Sequence, residues 1–227
     1  MVRKGTRSTV PGAARASRTM PLAPGVSIVA DEAGTLTAIL TVEGDPHALT
    51  CGHIFARGDA LYADGQHVGT LRLNLRRCWP WVDAALVRLN EAGRAAIDTE
   101  HNPRWWTHKV RTPVAKLKDR RAFLLQRDAA RALPVEIRAH RARVAAFTEP
   151  RSQIKHILTE GAGVDGDSGA PLYVRKRGVV MLLGIHVGPV GGRPLRGCHV
   201  PVRPVIDALR TLFRDVRGYP MHTGGRP

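Results

Sequence analysis

Short apolar runs separated by turn residues recur along the chain, and this pattern constrains the fold more than any other feature of the sequence. Runs such as "TLTAILTV" and "HALTCGHIFA" are divided by "EGDP", a sequence that favours a turn. The chain contains 23 glycines and 16 prolines, which favours many short strands over a helical bundle. We therefore predict an all-β protein, and its 43% of hydrophobic residues is enough for a real core.

The order of the segments predicts two β-halves followed by one helix. "ALYADGQHVGTLRLNL" is typical of a hairpin, with Asp64 and Gly65 forming a tight turn. "ALPVEIRAHRARVAAF" alternates apolar and polar side chains, as a half-buried strand does. Near the C-terminus the period changes, and one helical face collects the apolar side chains of Val205, Ile206, Leu209, Leu212 and Phe213. We place the division between the two β-halves near residues 95–120.

The two ends of the chain are predicted to lie outside the folded domain. Residues 1–25 carry five basic side chains and no acidic one. This composition would fit an organellar transit peptide, but it favours a disordered basic tail. We assign residues 26–215 to a single domain that contains both β-halves and the helix. Residues 216–227 are predicted to form a flexible C-terminal tail.

The cysteines and the hydropathy of the chain bear on its compartment. Cys51, Cys78 and Cys198 form an odd set without close pairs, which argues against a disulfide framework and favours a reducing interior. Residues 1–25 lack the apolar core of a secretory signal, and no apolar run approaches the ~18–20 residues that a membrane helix needs. We therefore expect a cytoplasmic protein without membrane contact. The cysteine and histidine spacing indicates no zinc site, and we expect neither a metal nor another cofactor.

The formal net charge of +16 is unevenly distributed. Between Arg104 and Lys155 there are fourteen basic residues and four acidic ones. Such a segment attracts nucleic acid or acidic proteins over roughly one Debye length, although most charge runs are only a solvated surface. Trp105 and Trp106 lie among these basic residues, as in single-strand nucleic-acid binders, yet paired tryptophans are more often core or interface residues. Nucleic acid is therefore an alternative partner that we do not favour.

The stretch "EGAGVDGDSGAPLYV" carries the strongest chemical signal. A serine hydroxyl becomes a nucleophile only when a base removes its proton, and an imidazole oriented by a carboxylate does this at neutral pH. Backbone N–H groups must also face the oxyanion, and glycines let a backbone turn and present them. Ser168 is set between Gly166-Asp167 and Gly169. We therefore predict that it is a nucleophile on a tight turn.

Two further segments contain the partners that such a serine needs. "ALTCGHIF" places His53 at the end of an apolar strand, and "VDAALVRL" places Asp83 at the start of another. Each residue alone has an ordinary structural explanation. In the order His53, Asp83, Ser168, their local sequences resemble the chymotrypsin-like (trypsin-fold) serine peptidases. That family typically shows T-A-x-H, D-x-A-L and G-D-S-G-G-P motifs in this order, and the resemblance covers roughly residues 30–213.

The resemblance implies a fold and a mechanism. The fold would consist of two six-stranded β-barrels with a C-terminal α-helix. Ser168 would attack a peptide bond and form an acyl-enzyme, with His53 as general base and then acid, and with Asp83 orienting the imidazole. The N–H groups of Gly166 and Ser168 would form the oxyanion hole. The chain is accordingly expected to be a serine endopeptidase.

Two departures from the family motifs bear on activation. Ala170 replaces the second glycine of the nucleophile motif, which adds only a methyl group. Nothing near "VSIVADEAG" matches the new N-terminus that zymogens of the family create by cleavage, and whose amine pairs with the Asp before the nucleophile. We therefore predict no zymogen cleavage, and we expect Asp167 to bind an internal arginine or backbone donors.

The preference for the residue before the scissile bond (P1) is predicted only in part, because the resemblances conflict. Relatives that cleave after Lys or Arg carry an Asp at the position of Ala162, so a basic preference is not expected. The arrangement around His186 in "GIHVG" is similar to that in glutamyl endopeptidases and picornaviral 3C-type cysteine peptidases, where the histidine binds a Glu or Gln side chain. Those relatives carry Thr or Ser where this chain has Gly163, and Asp165 at the pocket rim would disfavour acidic substrates. Cleavage after Glu or Gln and cleavage after a small or apolar residue both stay open.

The expected substrate is a protein or peptide, and its identity is a hypothesis. Val187 and Gly188 are expected to lie along the strand edge that pairs with an extended substrate. A compact peptidase with free thiols and a basic tail suits a regulatory enzyme with one dedicated intracellular substrate. The alternative is a binding module that keeps the peptidase fold and uses its basic surface for nucleic acid or an acidic protein. Such proteins usually lose a member of the triad, and all three members stand here.

Overall fold

The computed structural model describes residues 21–79, 82–98, 121–126, 132–142, 155–161, 163–176, 179–190 and 196–218. Within these residues the chain forms fourteen β-strands and three α-helices, arranged as two β-units. The basic segment from Arg104 to Lys155 lies mostly outside the described residues, and so do Trp105 and Trp106. Residues 1–20, which make up most of the predicted basic tail, lie outside them as well.

The first β-unit contains eight strands and two short helices. Its elements are β1 (Ser27–Val29), β2 (Ala33–Thr35), β3 (Ala38–Val42), β4 (Asp45–Thr50), β5 (Ala60–Ala63), β6 (Gln66–Asn74), α1 (Leu75–Cys78), β7 (Ala85–Leu89), α2 (Glu91–Ala95) and, from the other end of the chain, β14 (Val216–Gly218). The strands pair antiparallel in the order β14-β3-β4-β7-β6-β5-β1-β2. This sheet has eight strands where the resemblance implied a six-stranded barrel, because the short β2 and the C-terminal β14 extend its two edges.

The second β-unit is a closed six-stranded barrel, as the resemblance implied. Its strands are β8 (Arg121–Leu124), β9 (Leu133–Ala142), β10 (His156–Glu160), β11 (Pro171–Lys176), β12 (Val179–Val190) and β13 (Arg196–Pro201). They close in the order β10-β13-β12-β11-β8-β9, and the pairs are antiparallel. The helix α3 (Val202–Leu212) follows directly, so the predicted all-β class with a C-terminal helix is confirmed.

Local sequence signals explain a turn and a helix face. Asp64 and Gly65 have φ values of 49° and 72°, the left-handed conformation that a tight hairpin turn needs at both central positions. They join β5 to β6, as predicted. In α3, Val205 and Leu209 are fully buried, whereas Leu212 is 46% exposed. The apolar stripe is therefore narrower than predicted, since Leu212 is the last helical residue and lies at the edge of the packed face.

The folded region extends beyond both predicted domain boundaries. Leu22 is only 1% exposed and forms a β-bridge with Ile97. At the other end, Val216 is buried and β14 pairs with β3, which corrects the expectation of a flexible tail from residue 216 onward. A three-residue strand has too few positions to show a period of its own, so no sequence pattern predicted it. No helix in the described ranges is long and apolar enough to cross a membrane.

The buried apolar side chains form two clusters, and one of them joins the two β-units. The larger cluster joins side chains of the first sheet, such as Leu40 and Leu86, to Ile185 of the barrel and to Val205 of α3. The smaller cluster consists of side chains from the barrel strands, including Leu172. Because the larger cluster crosses from one β-unit to the other, it holds strand ends of both units against each other.

Candidate active site

Three strand ends bring the predicted catalytic residues together. His53 follows β4, which ends at Thr50, and Asp83 precedes β7, which begins at Ala85. Because β4 and β7 are antiparallel neighbours with Thr50 opposite Ala85, the side chains of His53 and Asp83 lie at the same end of this strand pair. Ser168 lies in the loop that leads into β11 of the barrel. A backbone hydrogen bond from β2 to the Ser168 carbonyl oxygen joins this loop to the first sheet.

The side chains of His53, Asp83 and Ser168 form a continuous hydrogen-bonded chain. Asp83 Oδ2 lies 2.7 Å from His53 Nδ1, and His53 Nε2 lies 2.9 Å from Ser168 Oγ. The other carboxylate oxygen, Asp83 Oδ1, accepts hydrogen bonds from the backbone N–H groups of Gly52 (2.8 Å) and His53 (2.9 Å). Both oxygens of a carboxylate that is only 7% exposed are thus engaged. Asp83 therefore fixes both the position and the plane of the imidazole.

The surroundings of His53 change its proton affinity. Burial lowers the pKa of His53, but the hydrogen bond and charge of Asp83, together with the contact with Cys51, raise it overall to about 10. Cys51 Sγ lies 3.9 Å from His53 Nε2, and burial raises the pKa of this thiol, so it stays uncharged and is not a competing nucleophile. The surroundings therefore favour the imidazolium form of His53.

The loop that carries Ser168 adopts a backbone conformation that its glycines allow. Gly166 and Gly169 have φ values of 91° and 93°, in the left-handed region that disfavours side chains. A Cβ atom on Gly169 would also overlap the carbonyl oxygen of Thr35. Ala170 is fully buried, and its methyl group packs in the smaller hydrophobic cluster. The barrel therefore accommodates the alanine that departs from the family motif.

Gly166 and Ser168 carry the N–H groups that were predicted to form an oxyanion hole. Among the hydrogen bonds between described residues, none uses either of these two groups. The N–H of Asp167, which lies between them, donates to the carbonyl oxygen of Val164 at 3.0 Å. Within the described part of the chain, the loop thus leaves the two donors unpaired. A site that stabilises a developing negative charge requires such donors.

Asp167 is fully buried and has amide partners where zymogen-type relatives use an N-terminal amine. Its Oδ2 accepts a hydrogen bond from Gln126 Nε2 at 2.9 Å and from the backbone N–H of Val164 at 2.8 Å. The expected backbone donor is therefore present. Gln126 was not predicted as a partner, because it lies 41 residues before Asp167 and belongs to no recognisable motif.

His186 lies against the chain segment that precedes the nucleophile. A Cβ atom added to Gly163 would lie 2.6 Å from His186 Nε2, so glycine leaves room for the imidazole where Thr or Ser would not. His186 is 1% exposed, and burial lowers its pKa to about 4 against an opposing contribution from Asp167. The imidazole is therefore neutral at neutral pH and has one N–H to donate.

Two further histidines, which no sequence pattern singles out, continue from His186 into the barrel. The ring centroids of His186 and His199 lie 4.9 Å apart, because these residues are opposite each other on β12 and β13. His199 Nε2 lies 2.9 Å from Thr159 Oγ1, within hydrogen-bond distance. We call His156, His186 and His199 the histidine row. All three Nδ1 atoms are buried without a hydrogen-bond partner among the described residues, and burial lowers the pKa of His156 and His199 as well.

Of the other predicted substrate-binding residues, Val187 and Gly188 lie on a strand edge. β11 pairs with β12 only as far as Ile185, so in the described ranges this edge of β12 has no strand partner at Val187 and Gly188. Gly188 has a φ value of 126° at a shift in the β12–β13 register. Asp165 is exposed, and Ala162 lies outside the described residues. Val187 and Gly188 are both buried, so their binding of an extended peptide stays a prediction.

Comparison with known proteins identifies the fold. No protein-family model and no curated protein matches the sequence. Among solved structures, a glutamic acid specific serine protease is similar with a TM-score of 0.61 and 17% identity, over 87% of this chain and 100% of that chain. The Nocardiopsis protease NAPase is similar with a TM-score of 0.61 and 14% identity, over 87% and 98% of the two chains. The active form of the Rv3671c protease from M. tuberculosis has a TM-score of 0.56 and 16% identity, over 96% and 99%.

These similarities establish that the chain has the chymotrypsin-like fold, as its three motifs predicted. Sequence identities of 14–17% are evidence for a shared fold but not for a shared activity.

Proposed function

We propose that this protein is a serine endopeptidase that hydrolyses peptide bonds through an acyl-enzyme. The observation that carries this proposal is the hydrogen-bonded chain from Asp83 through His53 to Ser168, with distances of 2.7 and 2.9 Å. The N–H groups of Gly166 and Ser168, which have no acceptor among the described residues, add the donors that the chemistry needs. The likeness to structures of serine proteases supports the same activity.

In the first half of the reaction, His53 Nε2 removes the proton from Ser168 Oγ as that oxygen attacks the carbonyl carbon of the scissile bond. Asp83 stabilises the imidazolium, and the N–H groups of Gly166 and Ser168 donate to the new oxyanion. The carbon–nitrogen bond then breaks as His53 gives its proton to the leaving amine. In the second half, His53 deprotonates a water molecule as it attacks the acyl-enzyme, and then gives this proton to Ser168 Oγ as the ester bond breaks and the acid product leaves.

A burst experiment tests acyl-enzyme formation. A p-nitrophenyl ester should release nitrophenolate in a fast phase equal to the enzyme concentration and then more slowly, because the ester acylates the enzyme faster than water deacylates it. Ser168→Ala and His53→Ala should each remove the fast phase. His67→Ala is the matched control, since His67 is exposed and contacts Tyr62 and Asn90 far along the sheet from the triad. A fast phase that survives Ser168→Ala would overturn the proposal.

We propose further that the enzyme cleaves after Glu or Gln and that His186 binds the side chain of that residue. A neutral imidazole donates to a carboxylate or amide oxygen, and such a bond is strong in a site without water. His186 Nε2 faces Gly163, close before the nucleophile. The similar glutamic acid specific serine protease uses a histidine triad in substrate binding, and the histidine row is the comparable feature of this chain.

Peptides that differ only in the residue before the scissile bond test this preference. His186→Ala should lower kcat/KM for the Glu and Gln peptides by about 10- to 100-fold, the value of one hydrogen bond to a charged or polar group. It should leave cleavage after Ala unchanged. Asp165→Asn should improve cleavage after Glu more than cleavage after Gln, because it removes an exposed negative charge. Wild-type preference for small or apolar residues would contradict the assignment and favour the alternative specificity.

We propose that the enzyme acts inside the cell on a dedicated protein substrate. The supporting observation is that Cys51, Cys78 and Cys198 are all free, as is usual in a reducing compartment. Capture with the Ser168→Ala protein should retain one protein substrate above background, and an unselective set of captured proteins would contradict the proposal. Nothing in the described residues favours the binding-module alternative. Salt-dependent retardation of nucleic acid, unchanged by Ser168→Ala, would favour it.

A further inference from the structure

Three threonines of the first sheet contact the loop of the barrel that carries Ser168. Thr35 ends β2, Thr37 precedes β3 and Thr50 ends β4. None of the three is measurably exposed. Because a buried hydroxyl group is unfavourable unless it is hydrogen-bonded, the partners of these groups indicate what they position.

Two of the threonines hold backbone carbonyl groups on either side of the nucleophile. Thr35 Oγ1 donates to the carbonyl oxygen of Gly166 at 2.8 Å. Thr37 Oγ1 donates to the carbonyl oxygen of Gly169. Between these two contacts, the backbone N–H of Thr35 donates to the carbonyl oxygen of Ser168 at 2.7 Å. Three carbonyl groups of the loop are thus held by the first sheet.

These contacts fix the planes of successive peptide units. In a trans peptide, the C=O of one residue and the N–H of the next point in opposite directions. Because the Gly166 carbonyl points to the sheet, the Asp167 N–H points back into the loop, where it meets an acceptor at 3.0 Å. Because the Ser168 carbonyl points to the sheet, the Gly169 N–H points to β12 and donates there at 2.7 Å.

The third of these carbonyl groups, that of Gly169, affects the N–H of Ser168, which is a predicted donor of the oxyanion hole. Thr37 holds the carbonyl of Gly169, so the N–H of Ala170 points the other way and donates to the carbonyl oxygen of Asp167 at 2.7 Å. That bond sets the plane of the peptide between Asp167 and Ser168. The N–H of Ser168 therefore points away from the Asp167 carbonyl, and it has no acceptor among the described residues.

The contact between the sheet and the loop is close. A Cβ atom on Gly169 would overlap the carbonyl oxygen of Thr35 and Oγ1 of Thr50, and one on Gly34 would lie 3.0 Å from the Ser168 carbonyl oxygen. Thr50 Oγ1 donates to the Thr35 carbonyl oxygen at 2.8 Å, which fixes the backbone of Thr35 in turn. The close packing of the first sheet therefore leaves the loop that carries Ser168 no room to move.

We propose that Thr35 and Thr37 are positioning residues, whose hydroxyl groups hold the peptide units on either side of Ser168 and thereby set the orientation of the Ser168 N–H, an oxyanion-hole donor on the opposite β-unit. This inference rests on the proposed peptidase function. Neither hydroxyl group is placed to touch substrate, because each is committed to a loop carbonyl. Their loss should therefore act on the transition state more than on the binding of substrate, and should lower kcat with little change in KM.

Valine substitutions test the proposal, since valine keeps the shape of threonine and lacks the hydroxyl. Thr37→Val and Thr35→Val should each lower kcat and the rate constant of fluorophosphonate labelling by about 10- to 100-fold, somewhat less than the outright loss of an oxyanion-hole donor. Thr37→Ser should restore most of the rate, because it returns the hydroxyl. The midpoint of the pH–rate profile should stay at the wild-type value, since His53 and Asp83 are unchanged.

Thr41→Val is the matched control. Thr41 lies on β3, and its Oγ1 is buried without a hydrogen-bond partner among the described residues. This variant should label at the wild-type rate. Wild-type rates in both Thr35→Val and Thr37→Val would overturn the positioning role, and so would an equal loss in Thr41→Val.

Thermal unfolding of each variant separates misfolding from misalignment. If the valine variants show no folded baseline, Thr37→Cys is compared with Thr37→Ser, two side chains of the same shape that differ in donor strength. A slower Cys variant supports the proposal, and equal rates overturn it. If the wild-type protein itself forms no adduct on Ser168, the proposed peptidase function fails instead.

Discussion

The two β-units place histidines in the site in opposite electrostatic states. The first sheet carries His53, which has the carboxylate of Asp83 in hydrogen-bond contact at 2.7 Å, and its pKa is raised to about 10. The barrel carries the histidine row, whose Nδ1 atoms have no hydrogen-bond partner among the described residues, and the pKa of His186 is lowered to about 4. Burial disfavours the charged form in both units, and a carboxylate reverses the outcome in one of them. At neutral pH the same side chain is thus charged in the first unit and neutral in the second.

The largest expected effect comes from removing the Asp83 carboxylate, which causes the difference between His53 and the histidine row. Asp83→Asn should lower the rate of acylation by about 10⁴-fold, because a neutral amide neither holds the required tautomer nor stabilises the imidazolium. Stopped-flow acylation by an ester substrate measures the effect. Asp45→Asn is the control, because Asp45 bonds the largely exposed Arg88 on the same sheet and should keep the wild-type rate. A loss of less than tenfold in Asp83→Asn would contradict the role of this carboxylate.

Acidification should destabilise the protein through the histidine row. The folded pKa of His186 is lowered from 6.5 to about 4, so between these values the unfolded chain binds more protons than the folded one. The contribution of neutral His186 to the free energy of unfolding is fully present above pH 6.5. It is lost as the pH falls toward 4, and this loss amounts to about 3 kcal/mol for His186 alone. Urea unfolding at pH 7 and pH 4.5 measures it. His186→Gln should reduce the difference between the free energies of unfolding at pH 7 and pH 4.5. An unchanged difference would show that His186 is not the cause of the acid destabilisation.

The pH dependence of activity should arise from His53, whose pKa is shifted in the direction opposite to that of His186. The pKa of His53 is raised, so its protonated form stabilises the fold below pH 6.5, and this contribution is lost as the pH rises through about 10. Catalysis needs the neutral imidazole as base, so kcat/KM should increase with pH, with a midpoint above 6.5. In Asp83→Asn the midpoint of the remaining activity should move down. A wild-type midpoint below 6.5 would show that Asp83 does not govern the proton affinity of His53.

The smallest expected effect concerns Gln126, which follows β8 and binds Asp167 in the loop that carries Ser168. Gln126→Leu removes an amide donor from the buried Asp167 carboxylate and should lower the free energy of unfolding by about 1–3 kcal/mol. Urea unfolding at pH 7 measures this change. Gln66→Leu is the matched control, because Gln66 is exposed in the β5–β6 hairpin. Equal stability of the two variants would mean that Asp167 does not depend on Gln126.

Features that depend on neighbours in the chain were predictable from the sequence. Asp64-Gly65 predicts its own turn, because the required backbone conformation is a property of those two residues. The flanking residues of His53, Asp83 and Ser168 form three recognisable motifs, and these were enough to predict the chymotrypsin-like fold. The structure places the three side chains in contact. Their catalytic roles stay predictions until they are measured.

Features that depend on distant segments were not predictable in the same way. Thr35 and Gly166 are 131 residues apart in sequence, and a buried threonine on a strand shows no pattern that indicates such a partner. His186 meets His199 only because the register of β12 and β13 sets them opposite each other, and that register is a property of the closed barrel. β14 is similar, since its place beside β3 depends on where α3 ends and not on its three residues.

The most direct test of the central claim is to label the protein with a fluorophosphonate and to map the adduct by mass spectrometry. We expect a single adduct on Ser168, formed in the wild-type and His67→Ala proteins and absent from His53→Ala. Folded wild-type protein that forms no adduct at neutral or alkaline pH, or that carries it on another residue, would contradict the assignment of Ser168 as an activated nucleophile.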